Sequence, residues 1–295
     1  EMAKKPENVE KLLLQVWGHS KKQALTDQKI LTSYMAKDDI KDNFSSWDWQ
    51  YYSEKRRQNE HELNELEIKP YFSLDQMIKA AFYCANKLFD LSFVPIDLPL
   101  YHNDCKAWEV FRKNKTIGLF IGDYFARPSK RSGAWCSAFQ SQAKFPAVQK
   151  PIVLNVCNFA KSSPALLSFD DAQTLFHEFG HALHQLLSNV TYEPMSGTSV
   201  SRDFVELPSQ LFEHWLTVPD VLKKFARHYE TKIPISDELI ERIKGASNYD
   251  MGYQTVEYTS SALVDLYFHL SDTDHDIMKL QTEILSKIEM PEAIE

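Results

Sequence analysis

Two histidines one helical turn apart with a glutamate between them, His177-Glu178-Phe179-Gly180-His181, are the residues whose types and spacing could do chemistry. On an α-helix, positions i and i+4 differ by about 40° in azimuth and about 6 Å in rise, so both imidazoles can face one ion. Glu178, next to the first histidine, can reach a water beside that ion without binding the ion itself, which is the arrangement of zinc-assisted hydrolysis. In a chain of this length and composition the string arises by chance with a probability on the order of a few per cent, so its surroundings must carry the argument.

The element that positions the motif reads clearly. Ser168-Phe169-Asp170-Asp171 is an N-cap with acidic first-turn residues, and Ala172, Leu175, Phe176, Phe179, Ala182, Leu183, Leu186 and Leu187 follow at helical spacing. The spread of apolar positions predicts a buried helix of about 20 residues. Two histidines and a glutamate in such a helix are costly to desolvate without partners, and one Zn²⁺ removes that cost. The competing reading is a purely helical scaffold with hydrogen-bonded histidines and no metal. His184 lies about 10.5 Å along the axis from His177, too far to share the ion, and reads as a core or supporting histidine. The metzincin extension HExxHxxGxxH is not completed, because Ala182-Leu183-His184-Gln185-Leu186-Leu187 supplies neither its glycine nor its closing histidine.

A third metal ligand must come from another element. A downstream helix carrying Asp203, Glu206, Gln210 and Glu213 on one polar stripe is the best source, with Glu206 modestly favoured. Spacing alone also admits Glu213 or His214, and Glu193 sits in the intervening turn.

With 295 residues, 43% hydrophobic and 25% charged, the chain can bury a substantial core. A net charge of −8 with scattered Lys and Arg argues against nucleic acid or an anionic membrane surface as a partner. Cys84, Cys105, Cys136 and Cys157 form no CxxC pair and read as reduced thiols of a cytoplasmic protein. No apolar run suits a membrane span and no signal peptide is visible.

The fold class predicted is mainly α with a small β-sheet. Helices are expected from Pro6, from Trp47 to about Leu66, from Ser73 to Phe89 with Ser73-Leu74-Asp75-Gln76 as a capping box, and from Asn248 to about Leu270. Strands are expected over Trp108 to Phe111, Ile117 to Phe125 and Ile152 to Val156, with a hairpin turn at Lys113-Asn114-Lys115. The cluster Trp47-Asp48-Trp49-Gln50-Tyr51-Tyr52 reads as core packing more readily than as a ligand platform. Residues 1–295 form one catalytic-region unit, subdivided into helices plus sheet over 1–165 and a helical metal-site part over 166–295.

Several of these segments together carry a family resemblance. His177-Glu178-Phe179-Gly180-His181-Ala182-Leu183-His184, Ser196-Gly197-Thr198-Ser199-Val200 and Asp203-Phe204-Val205-Glu206-Leu207-Pro208-Ser209-Gln210 resemble the thimet oligopeptidase family of zinc peptidases. Gly122-Asp123-Tyr124-Phe125-Ala126-Arg127-Pro128-Ser129-Lys130-Arg131-Ser132-Gly133-Ala134-Trp135 and Pro151-Ile152-Val153-Leu154-Asn155-Val156-Cys157-Asn158-Phe159 are most similar to its bacterial peptidyl-dipeptidase branch. The resemblance implies a zincin-like fold, His177, His181 and Glu206 as zinc ligands, and Glu178 as the catalytic glutamate. It also implies short peptides as substrates and release of C-terminal dipeptides. Residues Gly118 to Phe125 are expected to offer a strand edge to an extended peptide.

Family members are considerably longer, so the expectation is a chain without much of the N-terminal lobe and without the C-terminal segment that holds oxyanion-stabilising Tyr and His residues. No equivalent of that segment is expected between Met251 and Glu295, although Tyr253 and Tyr258 are present there. Two readings follow: an active zinc peptidase, with room for a second polypeptide that completes it, or a zinc-binding but catalytically silent remnant.

Overall fold

A buried helix carrying ionisable groups needs a rigid surface to lie on, and a mixed sheet provides it. The computed structural model describes residues 2–61, 65–246, 249–271 and 276–294. In chain order the elements are α1 (Pro6–Lys37), α2 (Ser46–His61), α3 (Glu65–Ile68), α4 (Leu74–Phe89), β1 (Leu91–Ile96), β2 (Lys106–Arg112), β3 (Lys115–Phe125), β4 (Trp135–Gln140), β5 (Ile152–Phe159) and α5 (Phe169–Leu186). They continue with α6 (Arg202–Val205), α7 (Leu207–Glu213), α8 (Pro219–Phe225), α9 (Asp237–Ala246), α10 (Met251–Leu270) and α11 (Ile277–Lys287). The fold is mainly α with a small β-sheet, as the periodicity predicts.

Two units divide the chain, one comprising Glu1–Leu63 with Glu241–Glu295, the other Asn64–Ile240. The sheet and α5 fall in the same unit. In the first unit α1 packs along α10, and Trp17, Leu31, Trp49, Tyr52, Tyr253 and Val256 form the core. Trp49 stacks on Tyr253 with ring centroids 4.7 Å apart and donates its indole N–H to Asp250 at 2.9 Å. The aromatic cluster of α2 is therefore core at Trp49 and Tyr52, while Trp47 and Tyr51 are exposed. The predicted continuation of α2 to Leu66 crosses residues 62–64, and Asn248 precedes α10; both stretches lie outside the described residues.

In the second unit the sheet order is β1-β2-β3-β5-β4, with β3 and β5 parallel and the other pairs antiparallel. The β2–β3 hairpin turns at Lys113 and Asn114, whose φ values of 49° and 60° suit a tight two-residue turn. Strand β3 is paired on both sides, so Gly118 to Phe125 offers no free edge; the edges are β1 and β4. Neither edge strand is predicted from the sequence: β1 is broken by Pro95, and β4 mixes polar and apolar residues without clean alternation. The capping box expected at Ser73 is also not built, since Ser73 precedes α4 without a side-chain capping bond and pairs through its backbone with Leu166. All four cysteines are free thiols. Among the described residues, no helix is long and apolar enough to cross a membrane.

Candidate metal centre

Helix α5 begins as its sequence dictates. The Ser168 hydroxyl accepts the Asp171 backbone N–H at 3.0 Å, and the Asp171 carboxylate returns the bond to the Ser168 N–H at 3.1 Å. The helix then lies on β3, β4 and β5 and against α4 and α7. Within the motif, Phe179 points away from the histidine pair and seats the helix: its ring lies 5.3 Å from Phe120, 5.5 Å from Phe82 and 5.6 Å from Phe93. Each such aromatic pair contributes about 0.5–1.5 kcal/mol beyond its buried area.

Gly180 serves another neighbour. A Cβ added there would meet the Ser209 Cα at 2.6 Å and the Pro208 carbonyl oxygen at 3.0 Å, so its bare backbone lets α7 come close. The chain enters α7 through a break at Glu206, followed by Pro208, a residue without a backbone N–H that is tolerated in a first helical turn. The predicted polar stripe is thus carried by two short helices with Glu206 at their junction.

Three donors converge there. Glu206 Oε2 lies 3.2 Å from His177 Nε2 and 3.0 Å from His181 Nε2, and all three donor atoms lie within 4.8 Å of one another. Donors bonded at about 2 Å to a tetrahedral zinc lie about 3.3 Å apart, so the group fits the ion, and two imidazoles with one carboxylate leave a fourth position open. The Ser209 hydroxyl lies 2.8 Å from the Glu206 carbonyl oxygen and 2.9 Å from its Oε2, one proton shared between two acceptors that hold Glu206 in its turn.

Glu213 binds the far side of His177, its Oε1 2.6 Å from His177 Nδ1, while Gln173 donates to Oε2 at 2.7 Å. A carboxylate can only accept, so Nδ1 carries the ring proton and the Nε2 lone pair faces the donor group. Glu213, one of the alternative ligands, thus orients the ring of His177 and lies outside the donor group. Glu193 and His214 sit in short 3₁₀ turns outside the donor group. Of the remaining stripe residues, Asp203 and Gln210 are exposed.

Glu178 is buried, and among the described residues its Oε2 has no hydrogen-bond partner. Burial pushes this carboxyl up to about 7, with His177 opposing and Glu206 adding to the rise. A cation held beside it would draw the value down and favour the ionised base. Burial also lowers the pKa of His181 against the pull of Glu206, which favours the neutral ring. His184 is half-buried, its Nδ1 is without a partner among the described residues and it packs against Phe204, outside the donor group. Two residues that the sequence reading did not single out act here: Ser209 on Glu206, and Asn155, whose amide reaches the Glu178 carbonyl at 2.7 Å. A small polar residue amid apolar β5 was the only available signal for the latter.

Peptidase family M3 matches the chain over residues 1–290. Among curated proteins, the chain is 37% identical over 302 residues to dipeptidyl carboxypeptidase of Escherichia coli (strain K12), covering 99% of this chain and 44% of that protein. It is 31% identical over 276 residues to oligopeptidase A of the same organism, covering 91% and 41%. A thimet-like oligopeptidase of Dictyostelium discoideum is 34% identical over 243 residues, covering 77% and 36%. The chain therefore spans less than half the length of these relatives.

Proposed function

The chain belongs to peptidase family M3, and from that premise we propose that it hydrolyses peptide bonds in short peptides with one Zn²⁺ as cofactor, releasing C-terminal dipeptides. The observation that carries this reading is the convergence of His177, His181 and Glu206 beside the unpartnered carboxylate oxygen of Glu178. His177 and His181 would hold the ion through Nε2 and Glu206 through Oε2. When bound, zinc supplies a Lewis acid that polarises a carbonyl and lowers the pKa of water to about 7.

The residues of the chain supply the proton handling. Glu178 Oε2 accepts the proton of the attacking water and delivers it to the leaving amine nitrogen, the general-base and general-acid halves of one cycle. Its buried setting keeps bulk water from competing for that oxygen. Glu213 keeps His177 in the tautomer that offers Nε2. Of the two edge strands, β4 is the one that packs against α5, and its free backbone groups, in place of those of β3, can pair with an extended peptide. Dipeptide release rests on the similarity to dipeptidyl carboxypeptidase, and free thiols at all four cysteines suit a cytoplasmic setting.

The test is hydrolysis of an internally quenched peptide by the zinc-loaded chain and its Glu178→Gln variant, with zinc measured on the same samples. The expected result is one zinc in both and turnover in the parent alone. Equal rates with zinc bound would leave a silent metal-binding protein and overturn the enzymatic reading. Amidating the peptide's C-terminus should abolish cleavage if dipeptides are released from a free carboxylate, and leave it intact in an endopeptidase.

A further inference from the structure

Among the described residues, the Glu178 carboxylate has no bond at Oε2 to orient it, so its position is inherited from its backbone. That backbone is tethered at one point. Asn155, 2% exposed, lies in β5 with Gly122 of β3 and Cys136 of β4 as its register partners, and its Nδ2 donates to the Glu178 carbonyl oxygen at 2.7 Å. A carbonyl has two lone pairs, so the amide adds to the bond of the helical ladder without replacing it.

Most of what joins α5 to the sheet is apolar, led by Phe179, and the other polar contact is Gln185 on the Cys136 sulfur at 3.3 Å, a weak acceptor. Apolar burial is non-directional, whereas a hydrogen bond is directed, so the amide adds an orientation-dependent restraint to that packing. The strand that carries the tether is itself fixed. Lys130, with its side chain 3% exposed, donates to the carbonyls of Cys157, Phe125 and Asp123 at 2.7, 2.7 and 2.9 Å, tying the ends of β3 and β5 together two residues beyond Asn155.

We infer that Asn155 is a positioning residue for the peptidase reaction, fixing the backbone of Glu178 on the sheet so that its carboxylate meets the attacking water at reacting distance. The inference rests on the hydrolytic reading above. A misplacement of about 1 Å can cost about a hundredfold in rate, so even a partial shift is measurable.

The experiment compares Asn155→Leu, which keeps the branched side-chain skeleton and removes the donor, and Asn155→Ser, which avoids forcing an added apolar group into the site, with the parent. Both should lower kcat about tenfold or more, with KM within about twofold and zinc still stoichiometric. Hydrogen exchange should quicken in the segment 175–186 and stay unchanged in the first unit. Unchanged kcat and unchanged exchange in a folded variant would overturn the inference. Loss of zinc together with general loss of protection in both variants would also overturn it, since that marks a merely structural residue. If parent and Glu178→Gln hydrolyse equally, the peptidase reading fails, and the exchange of 175–186 still decides whether Asn155 holds the helix.

Discussion

Gly180 and Ser209 approach so closely that a β-carbon on the glycine would sit 2.6 Å from the serine Cα. Helix propensity alone would make Gly180→Ala stabilising by about 1 kcal/mol. The obstructing atoms include backbone, which cannot swing aside, and overpacking of this kind costs about 1–3 kcal/mol. The second effect wins if α7 cannot move freely. Because Glu206 immediately precedes α7, any retreat of that helix also widens the donor group. Gly180→Ala should therefore lower the unfolding midpoint and weaken zinc binding by about tenfold, equivalent to about 1.4 kcal/mol, in a competition titration against a chromophoric chelator. A more stable variant with unchanged affinity would show that α7 adjusts without cost.

The Glu213–His177 bond makes a separable prediction. Removing a carboxylate that orients a ligating histidine weakens metal binding by about 10- to 100-fold. Glu213→Ala should fall in that range by the same titration, while Glu213→Gln, which keeps an acceptor for His177 Nδ1, should lose less. Equal losses would mean that the negative charge, and not the orientation of the ring, is what matters.

The legible part of this centre was local in sequence. His177, Glu178 and His181 share one helix, so helical periodicity alone brings them together, and the Ser168 cap announces where that helix starts. Glu206 is different: a break in the chain and the closeness of α7 to Gly180 place it, and neither has a periodic signature. The residues alone left Glu206, Glu213, His214 and Glu193 open, and the family resemblance distinguished them. The same locality explains the sheet. The β2–β3 hairpin is set by a two-residue turn and was expected, whereas the pairing of β5 between β3 and β4 is long-range, which is why β3 was mistaken for an edge. Asn155 acts across that long-range pairing and was invisible for the same reason.

The cap of α5 can be tested apart from the metal. Substituting an N-cap serine by alanine costs about 1 kcal/mol; it removes the acceptor of the Asp171 backbone N–H and keeps the residue-168 N–H that the Asp171 carboxylate accepts. Ser168→Ala should lower stability to urea by about that amount, with zinc stoichiometry retained, because the cap lies more than two turns before His177. A midpoint unchanged within error would mean that the buried apolar face alone sets the start of the helix.

Asp123 predicts how the second unit responds to acid. Its carboxylate is 1% exposed, and burial by itself would raise its pKa; hydrogen bonds from Arg127 at 2.7 Å and the charged Lys130 outweigh that and bring it to about 2. An unfolded chain would titrate the same group near 3.9. A folded pKa below the unfolded one means the folded state holds fewer protons, so the stabilisation is fully present above about pH 4 and is lost as the pH falls through about 2. The contribution is about 2–3 kcal/mol. Denaturant unfolding of the parent should thus lose about that much between pH 5 and pH 2 on account of this residue. Asp123→Asn should already be less stable at pH 7, because Arg127 and Lys130 lose their counter-charge, and its profile over the same interval should be flatter. If parent and variant fall in parallel through that window, the ion cluster is not what makes this unit sensitive to acid.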